Sequence, residues 1–297
     1  MVSKSWPAWL FLLLFMCSLE VSGQLPDTEI YIASLSKEAE TWKFSEADNV
    51  TNRVGYDNQP HFSADGNTMF FVQVVDSIQS DVYSYSIEEK LTTRITSSPE
   101  SEYSPNYTFD HSKLSVVRVD KDSAQRFYVF EPESPSNAVF IPGTDSIGYY
   151  CWLNDSLLVM FLVGEKFSLQ ILNTKTNQRH FIAYNIGRCL KLSSDKKALL
   201  FLDKSDSTQW MISSLQFPDY KTTPIVRAID GNEDFCPLND GSLLMGSAGK
   251  LFLWNEGSGD TWNLVKDYST SIGPFYRITV NENATRIAFV AYAGKKP

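Results

Sequence analysis

Histidine is scarce in this chain: 297 residues contain three, His61, His111 and His180. Metal centres and acid–base triads draw heavily on imidazole, so little material exists for either. His111 falls in a turn and His180 before an outer strand, and the three are expected to lie far apart. No Gly-x-Ser-x-Gly elbow is present, and Gly246 to Leu251 lacks the spacing and the Ser or Thr of a phosphate loop; it reads as a hairpin turn. Long helical periodicity is missing, which excludes a helical bundle. A basic stripe is also missing, and the net charge is −9, which excludes nucleic acid and anionic lipid as partners. Neither a cofactor nor a metal is expected, and no catalytic residue is singled out.

Long apolar runs are confined to the amino terminus. Lys4 is followed by an uncharged stretch from Ser5 to Leu19, then by Val21-Ser22-Gly23, the pattern of a secretory signal over residues 1–23. The stretch is short for a membrane span, and Phe15-Met16 before Cys17 does not suit a lipoprotein signal. Without it the chain keeps 25 basic and 34 acidic residues and the same net charge. No linker or low-complexity segment divides residues 24–297, which are expected to form one domain and a monomer. Asn49, Asn106, Asn154 and Asn283 begin glycosylation sequons, relevant only in a eukaryotic host.

What is present is a repeat. Pro60-His-Phe-Ser-Ala-Asp65-Gly66 leads into the apolar run Met69 to Val75, and Pro105-Asn-Tyr-Thr-Phe-Asp110 leads into Lys113 to Val119. Cys151-Trp-Leu-Asn-Asp155 recurs as Cys236-Pro-Leu-Asn-Asp240, with looser copies around Asp195 and Asn283. These six anchors stand 45, 45, 40, 45 and 43 residues apart. A period in this range, with about four short strands per unit, is that of a radial repeat. In the first unit the strands are Thr68 to Val75, Asp81 to Ile87 and Lys90 to Thr96 after the initial Asn58-Gln-Pro60 segment. Beyond Asn283 only Ile287 to Tyr292 remains, so Glu29 to Leu35, Thr41 to Phe44 and Asn49 to Asn52 are expected to complete the last unit. The expected fold is therefore all-β: a six-bladed β-propeller of four-stranded blades, closed by pairing amino-terminal strands with the carboxy-terminal strand.

Pro60 to Gly66, with Asp81-Val-Tyr and Thr92-Thr-Arg-Ile-Thr96, resembles the repeat of the TolB-like six-bladed propellers, strongly in the first two units and weakly in the rest. The resemblance implies a periplasmic or secreted propeller that binds protein or small ligands. TolB itself also carries an amino-terminal α/β domain that this chain has no room for, so its envelope role does not carry over. Ser63-Ala-Asp65-Gly66 lacks the later Gly and Trp of a sialidase Asp box, and no carboxylate and amide set for an axial lactonase metal is identifiable.

Cys151, Cys189 and Cys236 precede their anchors by four, six and four residues. They are expected near the inner-strand starts of consecutive blades. Packing as small apolar residues, a Cys151–Cys189 or Cys189–Cys236 disulfide, and a metal are all open.

Loops entering the inner strands ring the mouth of a propeller channel. Here they contribute Asp57, Asn58 and Gln59; Glu102 and Tyr103; Arg188; Glu233 and Asp234; and Tyr276 and Arg277. They read either as a solvated acidic rim or as a site, and alanine at Arg188 and Glu233 is expected to leave folding intact, within about 0.5 kcal/mol, while weakening capture of any ligand. Read as a site, carboxylates facing Arg188 and Arg277 with tyrosines beside them form a polar pocket for a protein or small polar ligand, a carboxylate-bearing one above all. A non-catalytic binding scaffold is the function expected; the alternative is a lactonase, lyase or hydrolase acting at the channel mouth.

Overall fold

A computed structural model describes residues 25–74 and 79–293, so the signal expected over residues 1–23 lies outside the described residues. Twenty-five strands follow in order: β1 (Thr28–Glu38), β2 (Thr41–Phe44), β3 (Asp48–Asn49), β4 (Tyr56–Phe62), β5 (Thr68–Val74), β6 (Ser80–Ser86), β7 (Leu91–Arg94), β8 (Ser101–Tyr107), β9 (Leu114–Val119), β10 (Gln125–Phe130), β11 (Val139–Phe140), β12 (Ile147–Trp152), β13 (Leu157–Leu162), β14 (Ser168–Asn173), β15 (Gln178–Tyr184), β16 (Ile186–Leu192), β17 (Ala198–Asp203), β18 (Met211–Gln216), β19 (Thr222–Arg227), β20 (Phe235–Pro237), β21 (Leu243–Ser247), β22 (Lys250–Trp254), β23 (Asn263–Asp267), β24 (Phe275–Val280) and β25 (Arg286–Tyr292). No helix among the described residues is long and apolar enough to cross a membrane.

Strands β8–β11, β12–β15, β16–β19 and β20–β23 form four separate antiparallel sheets, the second to fifth; a further sheet runs β24-β25-β1-β4-β5-β6-β7, with β2 and β3 also on β1. Within that last sheet β1 pairs with β25 over seven residues, from Thr28 opposite Tyr292 to Ser34 opposite Arg286. Its link to β4 is one parallel bridge, Thr28 to Tyr56. Joined by that bridge, β4–β7 form one arm of this sheet, the first sheet, and β24, β25, β1 and β2 the other, the last sheet. Asn49 to Asn52, expected as a further extended stretch, contributes only the short β3 and then an Asx turn, Asn49 Oδ1 accepting from the N–H of Thr51 and Asn52 at 3.2 and 2.9 Å.

The turn between the first two strands of each unit explains the repeated acid. Asp65 Oδ1 accepts from Asn67 N at 3.0 Å and Ser63 Oγ at 2.5 Å, which closes the turn before the Ser63 N to Thr68 O bond. Asp110, Asp195 and Asp240 do the same work. In two units the role falls on a neighbour of the anchor: Asn154 rather than Asp155 accepts from Ser156 N and Leu157 N, both at 2.9 Å, and Asn281 rather than Asn283 accepts from Thr285 N and Arg286 N, both at 2.8 Å. The Gly246 to Leu251 segment is the expected hairpin turn, with Ala248 and Gly249 both at positive φ between β21 and β22.

The core is distributed between sheets. Phe70 and Val82 of the first sheet meet Leu114, Val116 and Tyr128 of the second, and the pattern repeats from sheet to sheet. Ile30, Ile32, Ala288 and Val290 of the last sheet pack on Phe62, Met69 and Phe71 of the first, and Ala33, Leu35, Trp42 and Phe289 pack on the fifth. Trp42 Nε1 also donates to Asp240 Oδ2 at 2.9 Å. Each fully buried Ile, Leu or Phe contributes roughly 1.5–3 kcal/mol, so removing β25 strips apolar cover from both neighbours. Deletion of residues 286–297 is expected to abolish the cooperative thermal transition; a truncated protein that melts like the parent would show that the two chain ends fold independently of each other.

Candidate functional site

The first strands of the units, β4, β8, β12, β16, β20 and β24, converge on one central cavity. Five of the six carry a register shift, at Asn58/His61, Tyr103/Asn106, Ile147/Tyr149, Ile186/Leu190 and Phe275/Arg277. An extra residue on one strand bends it and re-aims the side chains that follow. Gln59 and Ser104, at equivalent bulge positions, sit at φ +55° and +53°.

Asp234 is the centre of the upper end. Arg188 Nε lies 3.1 Å from its Oδ1 and Arg277 Nε 3.6 Å from its Oδ2, so two guanidinium groups from different sheets share one carboxylate. Arg188 also donates to the Tyr276 carbonyl at 3.4 Å, and its backbone N–H to Glu233 Oε2 at 3.1 Å. Glu233 is neutralised by Lys204 at 2.6 Å. Arg277 donates to Tyr149 Oη at 3.4 Å while its own buried Nε makes no hydrogen bond. Asn58 Nδ2 donates to Tyr276 Oη at 2.6 Å. Tyr56, Tyr103, Tyr149 and Tyr276 gather around this group, and burial pushes the Tyr56 phenol far above its usual value against the pull of Arg277.

The structure thus brings together Asn58, Tyr103, Arg188, Glu233, Asp234, Tyr276 and Arg277. Two expected members fall elsewhere. Asp57 is fully buried between the last and first sheets against Arg53, 3.2 Å away, and Glu102 is buried between the first and second, accepting from Thr96 Oγ1 at 3.0 Å and from Ser98. Each stands one residue before a cavity-facing position, and strand alternation turns it into the inter-sheet layer. Arg188 and Glu233 are not free rim residues: their side chains are 26% and 21% exposed and paired with Asp234 and Lys204, so alanine there costs more than at a free surface residue.

Below this cluster the cavity has an upper chamber of about 100 Å³ and a lower one of about 260 Å³, both lined by His61, Asn106, Lys191 and Thr279. Among the described residues Lys191 Nζ reaches only Thr279 Oγ1, at 3.4 Å. Lys191 is absent from the residues expected at the mouth; the sequence signal for it is its place four before an anchor, shared with His61, Cys151 and Cys236.

No family model and no curated protein sequence matches this chain. Solved structures do. A TolB-like protein from Agrobacterium tumefaciens superposes with TM-score 0.67 at 10% identity, covering 91% of this chain and 99% of that one. The fold is that of a TolB-like β-propeller. Oligogalacturonate lyase from Vibrio parahaemolyticus (TM-score 0.57, 12% identity, 86% and 84% covered) and a gluconolactonase from Xanthomonas campestris (0.60, 9%, 88% and 95%) share it.

In the propeller the histidines are less dispersed than expected: His61 and His111 both line the lower chamber, and only His180 lies away, stacked on Tyr220 at 4.4 Å. Burial, with Lys191 and His111 nearby, pushes the His61 imidazole down to about 3, so it is neutral. The three cysteines of the described residues are free and buried. Cys189 Sγ contacts the Phe235 carbonyl at 3.3 Å and Cys236 Sγ that of Ile278 at 3.5 Å, each across to the next inner strand. Burial pushes Cys151 and Cys189 up to about 12 and Cys236 to about 11, which keeps them as packed thiols rather than nucleophiles. Thiol titration of these three positions in denatured, unreduced protein is expected to find all of them reactive; a single reactive thiol would mean that two are bridged. No group of three or more His, Cys, Asp or Glu among the described residues is arranged to hold a metal.

Burial raises Asp57, despite Arg53, and Glu102 to about 7. Their folded pKa values lie above the unfolded ones, so the folded state binds more protons between about pH 4 and pH 7, and stability falls as pH rises through that window. Urea denaturation at pH 5 and pH 8 is expected to show the loss, on the order of 2 kcal/mol per carboxyl, and Glu102→Gln should remove its share. An unchanged slope in that variant would assign the pH dependence to other groups.

Proposed function

We propose that this chain is an exported, monomeric six-bladed propeller, closed as a ring by β1 and β25, that acts as a non-catalytic scaffold and receives an anionic, carboxylate-bearing group in its central channel. One observation carries the reading: three cationic side chains, Arg188, Arg277 and Lys191, line the upper chamber beside the single carboxylate of Asp234, in a protein of net charge −9. Two of them are already turned on Asp234, whereas Lys191 has one long hydroxyl contact and open cavity before it. A carboxylate entering there would gain a charge-assisted bond in a confined, weakly screened space. The tyrosines around Arg277 supply hydroxyl groups and ring faces for the rest of a protein tail or small polar ligand.

An enzyme working at the channel mouth is the second reading, since the structures of a lyase and a gluconolactonase share this fold. The protonated thiols and neutral His61 favour binding over nucleophilic or acid–base chemistry.

Thermal shift with glutarate at low salt tests the proposal. A ligand that binds only the folded protein raises the melting temperature as its concentration passes Kd. Glutarate is expected to stabilise the parent, and Lys191→Met to fold normally yet bind at least about tenfold more weakly, the loss of one charge-assisted contact of about 1.4 kcal/mol. An equal response in parent and variant would remove the channel as the site.

A further inference from the structure

A cleft of about 620 Å³, larger than either chamber of the channel, opens between the fourth and fifth sheets. Its origin can be traced to two positions. Counting from the backbone bond that closes each inner hairpin, Ser63 N to Thr68 O in the first sheet and Ser193 N to Ala198 O in the fourth, Leu200 stands where Phe70 does. Pro237, next to Leu238 whose N–H reaches Ser242 O, stands where Tyr107 does next to Thr108, whose N–H reaches Lys113 O. Between the first and second sheets, Phe70 and Tyr107 meet edge to face at 5.4 Å and fill the gap. Between the second and third, Trp152 fills it and donates to Ser115 Oγ at 3.2 Å. Leucine and proline leave it open, and both line the cleft.

The floor is apolar, with Leu243 and Ile225 beside Leu200 and Pro237, and the rim carries Asp195, Glu256 and Asp260 with no lysine or arginine among the lining residues. Lys197 lies 3.8 Å from Asp195, so Glu256 and Asp260 dominate the field at the opening. Trp254 also lines it, but its indole N–H is given to the Gly259 carbonyl at 2.6 Å and its ring is 6% exposed. It therefore offers no open face for a sugar ring. The volume is that of a small-ligand site, and the combination of apolar floor and unbalanced acidic rim is complementary to one kind of guest.

We propose that this cleft binds a short peptide segment that inserts an apolar side chain flanked by lysine or arginine. It is independent of the channel reading, which concerns the opposite charge. Fluorescence anisotropy of labelled acetyl-Lys-Leu-Lys-amide and acetyl-Glu-Leu-Glu-amide against the purified protein tests it. The cationic peptide is expected to bind and the acidic one not. Leu200→Phe with Pro237→Tyr, which restores the aromatic pair, should abolish binding while melting at or above the parent temperature. Should that variant fail to fold, Glu256→Gln with Asp260→Asn keeps the test open: it should melt like the parent and bind about tenfold more weakly, as expected for two exposed charge pairs. Lys191→Met should leave peptide binding unchanged. Equal binding of the two peptides, parent-like binding by the charge-neutralised variant, or displacement by an uncharged glucose oligomer would overturn the proposal.

Discussion

A four-stranded sheet with two apolar faces has to be covered on both, and this requirement organises the molecule. Phe127 and Val117 in the second sheet need Trp152 and Leu158 of the third, which in turn present Val159 and Phe161 to Leu199 and Phe201 of the fourth. Stacking of this kind has no natural end, because every added sheet exposes another face. Here β1 pairs with β25, and Ile30 and Val290 pack on the first sheet while Ala33 and Phe289 pack on the fifth.

The same arrangement determines where polar chemistry can stand. Polar side chains in the inter-sheet layers need partners: Glu102 takes two hydroxyl donors, and Asp57 Oδ1 is held against Arg53 while its Oδ2 is buried without a hydrogen bond. Side chains on the inner strands face a cavity shared by all units, where charges from distant parts of the sequence meet. Arg188, Asp234 and Arg277 are brought within salt-bridge distance although they belong to three different units. The bulges on β16 and β24 are the local device that aims Arg188 and Arg277 there. Where the inter-sheet layer is underfilled, as at Leu200 and Pro237, a second and chemically opposite cavity opens.

Much of this was legible without coordinates. The spacing of Asp65, Asp110, Asp195 and Asp240 reports a turn that needs a short side-chain acceptor, and turn chemistry is local, so sequence displays it directly. The apolar runs that follow give the second strands for the same reason. The shift of the capping role to Asn154 and Asn281 was not legible, because Asn beside Asp offers two acceptors and only the path of the backbone selects one. Of the ten residues expected at the channel mouth, Asn58, Tyr103, Arg188, Glu233, Asp234, Tyr276 and Arg277 stand together and Gln59 lines the upper chamber. Asp57 and Glu102 do not, since a one-residue step along a strand moves a side chain from the channel to the inter-sheet layer.

The sequence by itself determined the repeat, the all-β class and the turn positions, since each depends on neighbours within a few residues or on counting. Tertiary structure alone decided which carboxylates are buried, that Lys191 stands in the cavity with His61 and Thr279, that the cysteines are packed thiols, and that a cleft opens at Leu200 and Pro237. Those facts depend on side chains about 45 to 90 residues apart in the chain, such as Arg188 with Asp234 and Lys191 with Thr279. Their contact is decided by the bulge geometry and stacking of the sheets, and no local pattern encodes it.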